Sequence, residues 1–499
     1  MSVDLIYPAS IAGSENYSSE PPLGPIALYS SLHELVRKRV RFLDSTVMPQ
    51  SEIERAVISR KADVVALSCT SFNYANALRL STLAKRNNAC VVLGGIHISY
   101  RRDEILAKML QGERSIDFLV TGYGEHAFGP LLEALANGKP LTAIPNLSYV
   151  KDGQIIINPV HNPRFGADPL TVPLDYSGVD FRPYSKRFHG QGNLCGVHNV
   201  ATTFTQRGCA YSGTRKCTFC SIEQMNPRRP PELFEQDVTN LITQHNADHI
   251  RINDGDFTLD IRHMSSMADA AQRAFEKTGK RPVFHCFTRS DELDEARIAV
   301  LKRLNVVSVF IGYESGSDQM LRVMQKFVTR EQNLQATRLL KDHGIDVVCA
   351  GLVLGAEGES EATLQETLDF LVDLKKIGNT RTLIATPLIP LPGAPSFSRL
   401  MKKLLKDDPA KGREVAIADD LDLDELVELW NKQMSQVSLA RLTEVCDFIA
   451  SQFPVGIKWM DLHHMHDRNQ GDQTLELNSA SSGNGAGTRN FKHTKAPSS

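Results

Sequence analysis

Apolar residues fall in short runs along the first part of the chain: Val3 to Ile6, broken only by Asp4, then Val64-Val65-Ala66-Leu67, Val91-Val92-Leu93 and Phe118-Leu119-Val120. Each run has strand length and ends in turn-forming residues, at Pro8, at Cys69-Thr70-Ser71-Phe72-Asn73, at Gly94-Gly95 and at Gly122. Helical spacing fills the gaps, as from Ala75 to Ala84 and from His126 to Ala136, and Pro21-Pro22-Leu23-Gly24-Pro25 leads into a helix through Leu32 and Val36. Strands that are apolar throughout, alternating with helices, predict a doubly wound parallel sheet covered on both faces. Such sheets bind ligands at the carboxyl ends of their strands. The loops there are Cys69 to Asn73, Gly94-Gly95-Ile96-His97 and Gly122-Tyr123-Gly124-Glu125. Taken singly, each reads as an ordinary tight turn.

Asn146 to His198 reads as a connector, with Asp152-Gly153 between two apolar runs as a hairpin signal. A second strand–helix series follows. Its strands are predicted at Val200 to Gln206, His249 to Asn253, Pro282 to Phe287, Val306 to Gly312, Ile345 to Leu354 and Leu383 to Leu388. Thr329 and Gln332 stand in capping-box spacing before a helix that closes at His343-Gly344. Glu361 to Lys376 carries Leu364, Leu368, Leu371 and Leu374 on one face. Six such units are too few for a closed eight-fold barrel and suit an open, partial one. Asp408 to Met465 is helical in pattern, with Leu423, Leu426, Val427 and Trp430 at amphipathic spacing. From Asp467 the composition is that of a disordered tail.

With 499 residues, two or three domains are expected. Apolar residues at 41% and charged residues at 23% fit a globular protein. The formal charge of -2 argues against a general draw to nucleic acid or anionic membrane. Arg37-Lys38-Arg39 and Arg228-Arg229 then read as solvated faces. No run is long enough to span a bilayer, and Met1 to Ser14 lacks the basic start of a secretory signal. The chain has nine cysteines, an odd number, which fits a reducing, cytoplasmic setting.

Six of the nine are scattered: Cys69, Cys90, Cys195, Cys286, Cys349 and Cys446. The other three stand together as Arg207-Gly208-Cys209, seven residues, then Cys217-Thr218-Phe219-Cys220. Three thiols just after a predicted strand are poorly explained as packing and point to zinc or an iron–sulfur cluster. A structural zinc site needs a fourth ligand, which Cys195 or His198 would supply. A [4Fe–4S] cluster held by three cysteines instead leaves one iron open for a ligand that reacts.

Cys209, Cys217 and Cys220, followed by six strand–helix units, resemble the radical S-adenosylmethionine (radical SAM) enzymes. The resemblance implies a partial (βα)6 barrel of the TIM type, a [4Fe–4S] cluster on the three cysteines, and S-adenosylmethionine chelated to the open iron. One electron then cleaves it to a 5′-deoxyadenosyl radical, which removes hydrogen from unactivated carbon. The loop between Cys209 and Cys217 is longer than usual in the family, and Cys195 is the other candidate for the first ligand. Phe219 before Cys220 is as the family has it. Gly312-Tyr313-Glu314-Ser315-Gly316-Ser317 resembles the segment whose glutamate meets the ribose, and its continuation from Met320 to Lys326 also matches. Gly351 to Glu359 resembles the motif beside the adenine. Asp254, with Asp256 near it, would face the methionine amine, and Arg289 the carboxylate. Read without the resemblance, these charged residues are solvated strand ends.

Over roughly residues 1 to 395 the chain resembles one group of these enzymes, whose N-terminal doubly wound domain is similar to cobalamin-binding domains. Ser71, Gly95 and Gly124 are the expected cobalamin-contacting positions. The Asp-x-His-x-x-Gly sequence that supplies a histidine to cobalt elsewhere is absent, and His97 reads as a structural loop histidine. The resulting organisation is a Rossmann-like cobalamin-binding domain at 1–145, a connector at 146–198, the radical SAM partial barrel at 199–395, a helical region at 396–466 and a tail at 467–499. The activity implied is radical functionalisation of a small molecule, most commonly methyl transfer, with an electron donor such as flavodoxin or ferredoxin as partner. The alternatives are a non-methylating rearrangement, cyclisation or dehydration, with or without cobalamin, and a zinc-stabilised binding module.

Overall fold

A computed structural model of the chain describes residues 1–10, 21–184, 199–209, 211 and 216–453. The candidate ligands Cys195 and His198, most of the Cys209–Cys217 loop and the C-terminal tail lie outside the described residues.

The strands in chain order are β1 (Val3–Tyr7), β2 (Val40–Asp44), β3 (Val64–Ser68), β4 (Cys90–Gly94), β5 (Phe118–Val120), β6 (Leu147–Lys151), β7 (Gln154–Ile157) and β8 (Phe165–Ala167). They continue with β9 (Val200–Thr203), β10 (Asn226–Arg228), β11 (His249–Ile252), β12 (Val283–Thr288), β13 (Val306–Glu314), β14 (Asp346–Leu354) and β15 (Leu383–Pro387).

The first sheet has the order β2-β1-β3-β4-β5-β6-β7. Its strands β1 to β5 are parallel, and β6 and β7 are added antiparallel at one edge. Separate apolar clusters lie on its two faces, one including Ile6, Val65, Leu80 and Ile105, the other Val3, Val64, Val92 and Phe128. The sheet is thus doubly wound, as the apolar runs required. The hairpin at Asp152-Gly153 forms, with both residues at positive φ, as a tight two-residue turn demands. It belongs to this sheet, so the stretch from Asn146 begins as sheet edge and becomes a linker only after Ile157. Strand β2 was not foreseen.

The second sheet has the order β15-β14-β13-β12-β11-β9, parallel throughout. Its strands lie in chain order with a helix in each crossover, β10 between β9 and β11 pairing apart with β8, which is the winding of an open barrel. The helices are set by local signals. Asp260, Asp294 and Ser360 cap their helices with side-chain oxygens, and the Thr329–Gln332 capping box forms. Helix-facing strand residues such as Ile250, Phe284, Val309 and Leu352 join Val238, Met267, Leu301 and Leu371 in one core.

Among the described residues, the region after β15 forms four helices, Pro395–Asp407, Pro409–Ile417, Leu423–Met434 and Leu439–Ser451. Trp430 donates its indole N–H to the Gly355 carbonyl at 2.8 Å, tying the third of these to the end of β14. No helix among the described residues is long and apolar enough to cross a membrane.

Candidate active site

The three cysteines follow β9 at the carboxyl end of the barrel. A carboxylate fixes where that strand ends. Asp254, just past β11, accepts from the Thr205 backbone N–H at 2.7 Å and the Gln206 N–H at 3.2 Å, and from the Thr205 hydroxyl. Burial nevertheless pushes Asp254 up to about 7. Gly208 sits at φ +69°, and a Cβ there would come within 2.3 Å of Met225 and 2.7 Å of the Glu223 carbonyl. Only glycine allows this turn. It sets Cys209, whose N–H donates to the Glu223 carbonyl at 3.1 Å. A Cβ on Gly255 would in turn lie 2.6 Å from the Gly208 carbonyl oxygen, so the β11 loop closes directly on the cysteine loop.

Cys217 and Cys220 are joined by a turn, Cys220 N–H to Cys217 C=O at 3.1 Å, and Thr218 is held to Met324 and Ser396 by backbone hydrogen bonds. Phe219 packs partly buried against the Met320–Met324 cluster. All three cysteines are free and half-buried. Burial pushes the Cys209 thiol up to about 11 and raises Cys217 and Cys220. Lys326 and Arg289 oppose this at Cys217, and Lys216 at Cys220. Among the described residues no three His, Cys, Asp or Glu side chains converge into a ready-made metal site. The three thiols lie near enough to raise one another, with part of the intervening loop outside the described residues. Three soft, free donors, two of them with cations nearby that favour the thiolate, fit an iron–sulfur cluster.

Beside them, Glu314 ends β13 at φ +64° and is buried. Lys326 donates to its Oε1 at 2.9 Å. Gly312 leaves room for this pair, since a Cβ there would stand 2.1 Å from that oxygen. Burial works against the charge on Lys326, but Glu314 outweighs it and raises the ammonium above its usual range. The Lys326 carbonyl accepts from Arg289 at 2.6 Å and from the Tyr211 hydroxyl at 3.0 Å. The Arg289 guanidinium carbon lies 3.2 Å from the Tyr211 ring centroid. Arg289 also pairs with Asp291 at 3.1 Å. Thr258 places one hydroxyl against both Asp256, at 3.1 Å, and Glu292, at 2.9 Å. Burial, then each other's charge, raises Glu292, so this pair keeps a proton.

The segment from Gly351 to Glu359 runs from within β14 to the loop after it. Glu359 is fully buried, with Oε2 accepting from Gly355 N–H at 2.7 Å and Oε1 from Thr363 at 3.3 Å. It closes its own loop beneath the C-terminal helices. Gly351 lies lower, within the barrel, opposite Gly312.

In the first domain, Ser71, Gly95 and Gly124 stand at the carboxyl ends of β3, β4 and β5. Gly95 has φ +103°, and a Cβ would meet the Cys69 carbonyl oxygen at 2.4 Å. Gly124 faces Leu28. The Ser71 hydroxyl contacts His97 Nδ1 at 3.0 Å, and His97 Nε2 contacts the Asp419 carbonyl at 2.9 Å. A carbonyl only accepts, so Nε2 carries the proton and Nδ1 accepts from Ser71. Tyr74 stacks on the imidazole at 4.2 Å. His97 thus belongs to the seam with the C-terminal region, where Arg101 also donates to the Ala416 and Ala418 carbonyls.

Sequence reasoning gave no role to Arg207, Lys326 or Asp419. Arg207 pairs with Glu125 of the β5 loop at 2.5 Å and with Asp168 at 2.6 Å, so the cysteine loop is bonded directly to the first domain. Its signal was only its place two residues before Cys209. Lys326 lay within a matched segment without an assigned partner, and nothing local marks Asp419.

Comparison with known proteins covers both halves. A radical SAM superfamily model matches residues 203–371 and a B12-binding-domain model residues 15–132. An uncharacterised methyltransferase of Pyrococcus horikoshii is 25% identical over 74% of this chain and 76% of its own. An anaerobic magnesium-protoporphyrin IX monomethyl ester cyclase of Rubrivivax gelatinosus is 24% identical over 71% of this chain and 62% of its own. The cobalamin-dependent radical SAM methyltransferase TokK of Streptomyces tokunonensis is 27% identical over 45% of this chain and 32% of its own. Among solved structures, the radical SAM methyltransferase TsrM of Kitasatospora setae has a TM-score of 0.62 at 18% identity, covering 81% of this chain and 76% of that one. The cobalamin-dependent radical enzyme OxsB has a TM-score of 0.61 at 19% identity, covering 82% of this chain and 61% of that one. The chain therefore spans about three quarters of some relatives and under two thirds of others, and it shares their fold. The two domains imply a [4Fe–4S] cluster with S-adenosylmethionine, and cobalamin. With a B12-binding-domain match followed by a radical SAM match, and the cysteine loop at the barrel's carboxyl end, the chain carries the domain pair of the radical SAM enzymes that have an N-terminal cobalamin-binding domain.

Proposed function

We propose that this enzyme transfers a methyl group to an unactivated carbon of a small molecule, using both cofactors together. The observation that carries this reading is the Arg207–Glu125 bond. It ties the loop after β5, where a doubly wound sheet binds its ligand, to the loop that bears Cys209. The two cofactor sites then face one substrate. The names of the methyltransferase relatives in Pyrococcus horikoshii and Streptomyces tokunonensis support the same reaction.

Cys209, Cys217 and Cys220 would hold the cluster, and Ser71, Gly95 and Gly124 would border the corrin. When bound, the cluster supplies the electron that cleaves S-adenosylmethionine, and cobalamin supplies a transferable methyl group. The protein's own part is positioning. Glu314, held by Lys326, presents a carboxylate to the ribose hydroxyls. Arg289, held by Asp291 and the Lys326 carbonyl, places a cation for the methionine carboxylate. Asp254 keeps the end of β9, and so Cys209, in place, while Asp256 offers an acid for the amine. Phe219 shields the cluster from water. Glu359 and Gly355 hold the C-terminal helices over the mouth of the barrel. An electron donor of the flavodoxin or ferredoxin kind would reduce the cluster. A zinc-stabilised module would leave the strand-end residues and both domain matches without a purpose.

The test is metal content and visible spectrum of protein made without oxygen in cobalamin-supplied cells. About four irons and about one cobalt per chain are expected, with Cys217→Ala losing iron and keeping cobalt. Iron without cobalt would retire methyl transfer through cobalamin. Zinc in place of iron after anaerobic reconstitution would overturn the radical chemistry itself.

A further inference from the structure

The segment from Val415 to Asp419, far along the chain, is gripped by the first domain. Arg101 donates to the Val415 and Ala416 carbonyls at 3.2 and 3.0 Å, and to the Ala418 carbonyl. Lys108 pairs with the Asp419 carboxylate, and the Tyr74 hydroxyl donates to its Oδ2 at 3.1 Å. Tyr74, His97 and Asp419 are at most 4% exposed, so these bonds are shielded from water.

One bond of this grip leads back to the loop after β3. The Asp419 carbonyl lies 2.9 Å from His97 Nε2, and the Ser71 hydroxyl 3.0 Å from Nδ1. Burial keeps the ring neutral, lowering it to about 4, so it carries one proton. A carbonyl only accepts, which places that proton on Nε2 and leaves Nδ1 an acceptor. The Ser71 hydroxyl must then donate to Nδ1, and its single proton is committed. The parts are held in place. Tyr74 stacks on the imidazole at 4.2 Å, the His97 N–H donates to the Cys69 carbonyl at 3.2 Å, and the Asn73 side chain accepts from the Thr70 N–H at 2.7 Å. Ser71 itself is half-buried. Beside it, Gly95 offers bare backbone, where a Cβ would strike the Cys69 carbonyl oxygen at 2.4 Å.

We infer that the C-terminal segment sets the hydrogen-bond polarity of the corrin site: through His97, the Asp419 carbonyl makes Ser71 an acceptor only, and Ser71 takes an N–H from an amide on the corrin rim. Primary amides around that rim have N–H groups to give. A freely rotating hydroxyl would meet donors and acceptors alike. One whose proton is committed tells them apart, because a second acceptor opposite it finds only lone pairs. His97 acts through Ser71 and is a positioning residue. The coupling runs both ways. An N–H given to the Ser71 oxygen polarises its O–H, which strengthens the bond to His97 and the hold on Asp419.

The inference rests on the cobalamin reading of the first domain, and the experiment separates the two. The full-length chain is made without cobalamin and its cluster is reconstituted without oxygen. It is dialysed to equilibrium against cobinamide, whose rim bears amides, and separately against the heptamethyl ester of cobyrinic acid, whose rim bears esters that only accept. Visible absorption measures the bound corrin. The native chain should prefer cobinamide. Ser71→Ala should shrink that preference about fivefold to tenfold, as loss of one hydrogen bond does. His97→Phe frees Ser71 to donate and should shrink it as well. His97→Gln, whose amide has both a donor and an acceptor, should keep it. Cobinamide should also slow hydrogen exchange at Val415 to Asp419 in the native chain and not in Ser71→Ala. Ser71→Ala alters only a half-buried hydroxyl, so it decides the matter even if His97→Phe does not fold. A preference unchanged in Ser71→Ala would overturn the inference, as would equal losses in His97→Gln and His97→Phe, or exchange indifferent to cobinamide. In each of those cases cobinamide binding leaves the cobalamin reading standing. If the native chain binds neither corrin, the cobalamin reading falls and this inference falls with it.

Discussion

Acid should unlatch the C-terminal region through His97. The imidazole is 1% exposed, donates from Nε2 to the Asp419 carbonyl and accepts at Nδ1 from Ser71. Burial, the largest influence, lowers it from 6.5 to about 4, with the Asp419 carbonyl opposing. The latched state therefore holds a neutral ring where the opened state, with an ordinary histidine, takes up a proton. Below about pH 6.5 the open state gains protons that the latched one refuses, so the latch weakens as pH falls towards 4. With those two values, protonation costs the latch about 2 kcal/mol at pH 5 and almost nothing at pH 7.5. That is a drop of roughly thirtyfold in protection against opening. Hydrogen exchange of peptides around Val415 to Asp420, corrected for the intrinsic pH dependence of exchange, measures it directly. In His97→Phe the protonation is gone, and the same peptides should be more open at pH 7.5 but no longer respond to acid through this group. An identical acid response in native and variant chains would refute the assignment of the latch to His97.

Three further outcomes follow from single contacts. Lys326→Met leaves Glu314 buried without its cation and should cost about 3–5 kcal/mol. Adding Glu314→Gln should return much of that in thermal unfolding while S-adenosylmethionine binding stays impaired. Gly95→Ala places a Cβ 2.4 Å from a carbonyl oxygen at φ +103°. It should destabilise the first domain by about 2–4 kcal/mol and lower cobalt content, with iron content unchanged. Asp254→Ala strands the Thr205 and Gln206 N–H groups, at about 1–3 kcal/mol each, and should lower iron per chain by releasing the end of β9. Full iron content with unchanged melting would contradict the role given to Asp254.

The parts of this molecule that were legible in the sequence are those where local pattern decides structure. Val64 to Leu67 and Val91 to Leu93 are buried on both faces, so they read as unbroken apolar runs. Strand β2 escaped notice because Arg41 interrupts it, and only the structure shows that guanidinium reaching Asp4, at 2.7 Å. The Asp152-Gly153 turn was visible, but which sheet its hairpin joins is a tertiary fact. The cysteine loop was legible because thiols crowd so rarely. The partners of its neighbours were not: Glu314 and Lys326 are twelve residues apart, Arg207 and Glu125 eighty-two apart, and His97 and Asp419 over three hundred apart. No periodicity encodes such pairs. Glu359 shows the converse, a residue in a matching segment whose carboxylate is used up by its own loop.

Those long-range pairs have a common geometry that bears on how the reaction is contained. Arg207 joins the cysteine loop to the β5 loop, and Tyr100 donates to the Ser221 carbonyl at 2.8 Å, joining the helix after β4 to the segment just past Cys220. A Cβ on Gly393 would strike the Tyr100 ring at 2.2 Å, so the exit from β15 is packed against the same residue. His97 and Arg101, on the same helix as Tyr100, hold the C-terminal segment. One helix of the first domain, Ile96–Leu110, therefore touches the cysteine loop, the end of the barrel and the C-terminal latch at once. Radical chemistry needs water and stray hydrogen donors kept from the site. One helix, kinked at Arg101 but bonded to all three boundaries, couples closure of the latch to alignment of the two cofactor loops. Loosening Tyr100, as in Tyr100→Phe, should then raise 5′-deoxyadenosine formed without product while leaving iron and cobalt contents unchanged. A variant with unchanged coupling would show that the two loops are aligned independently of this helix.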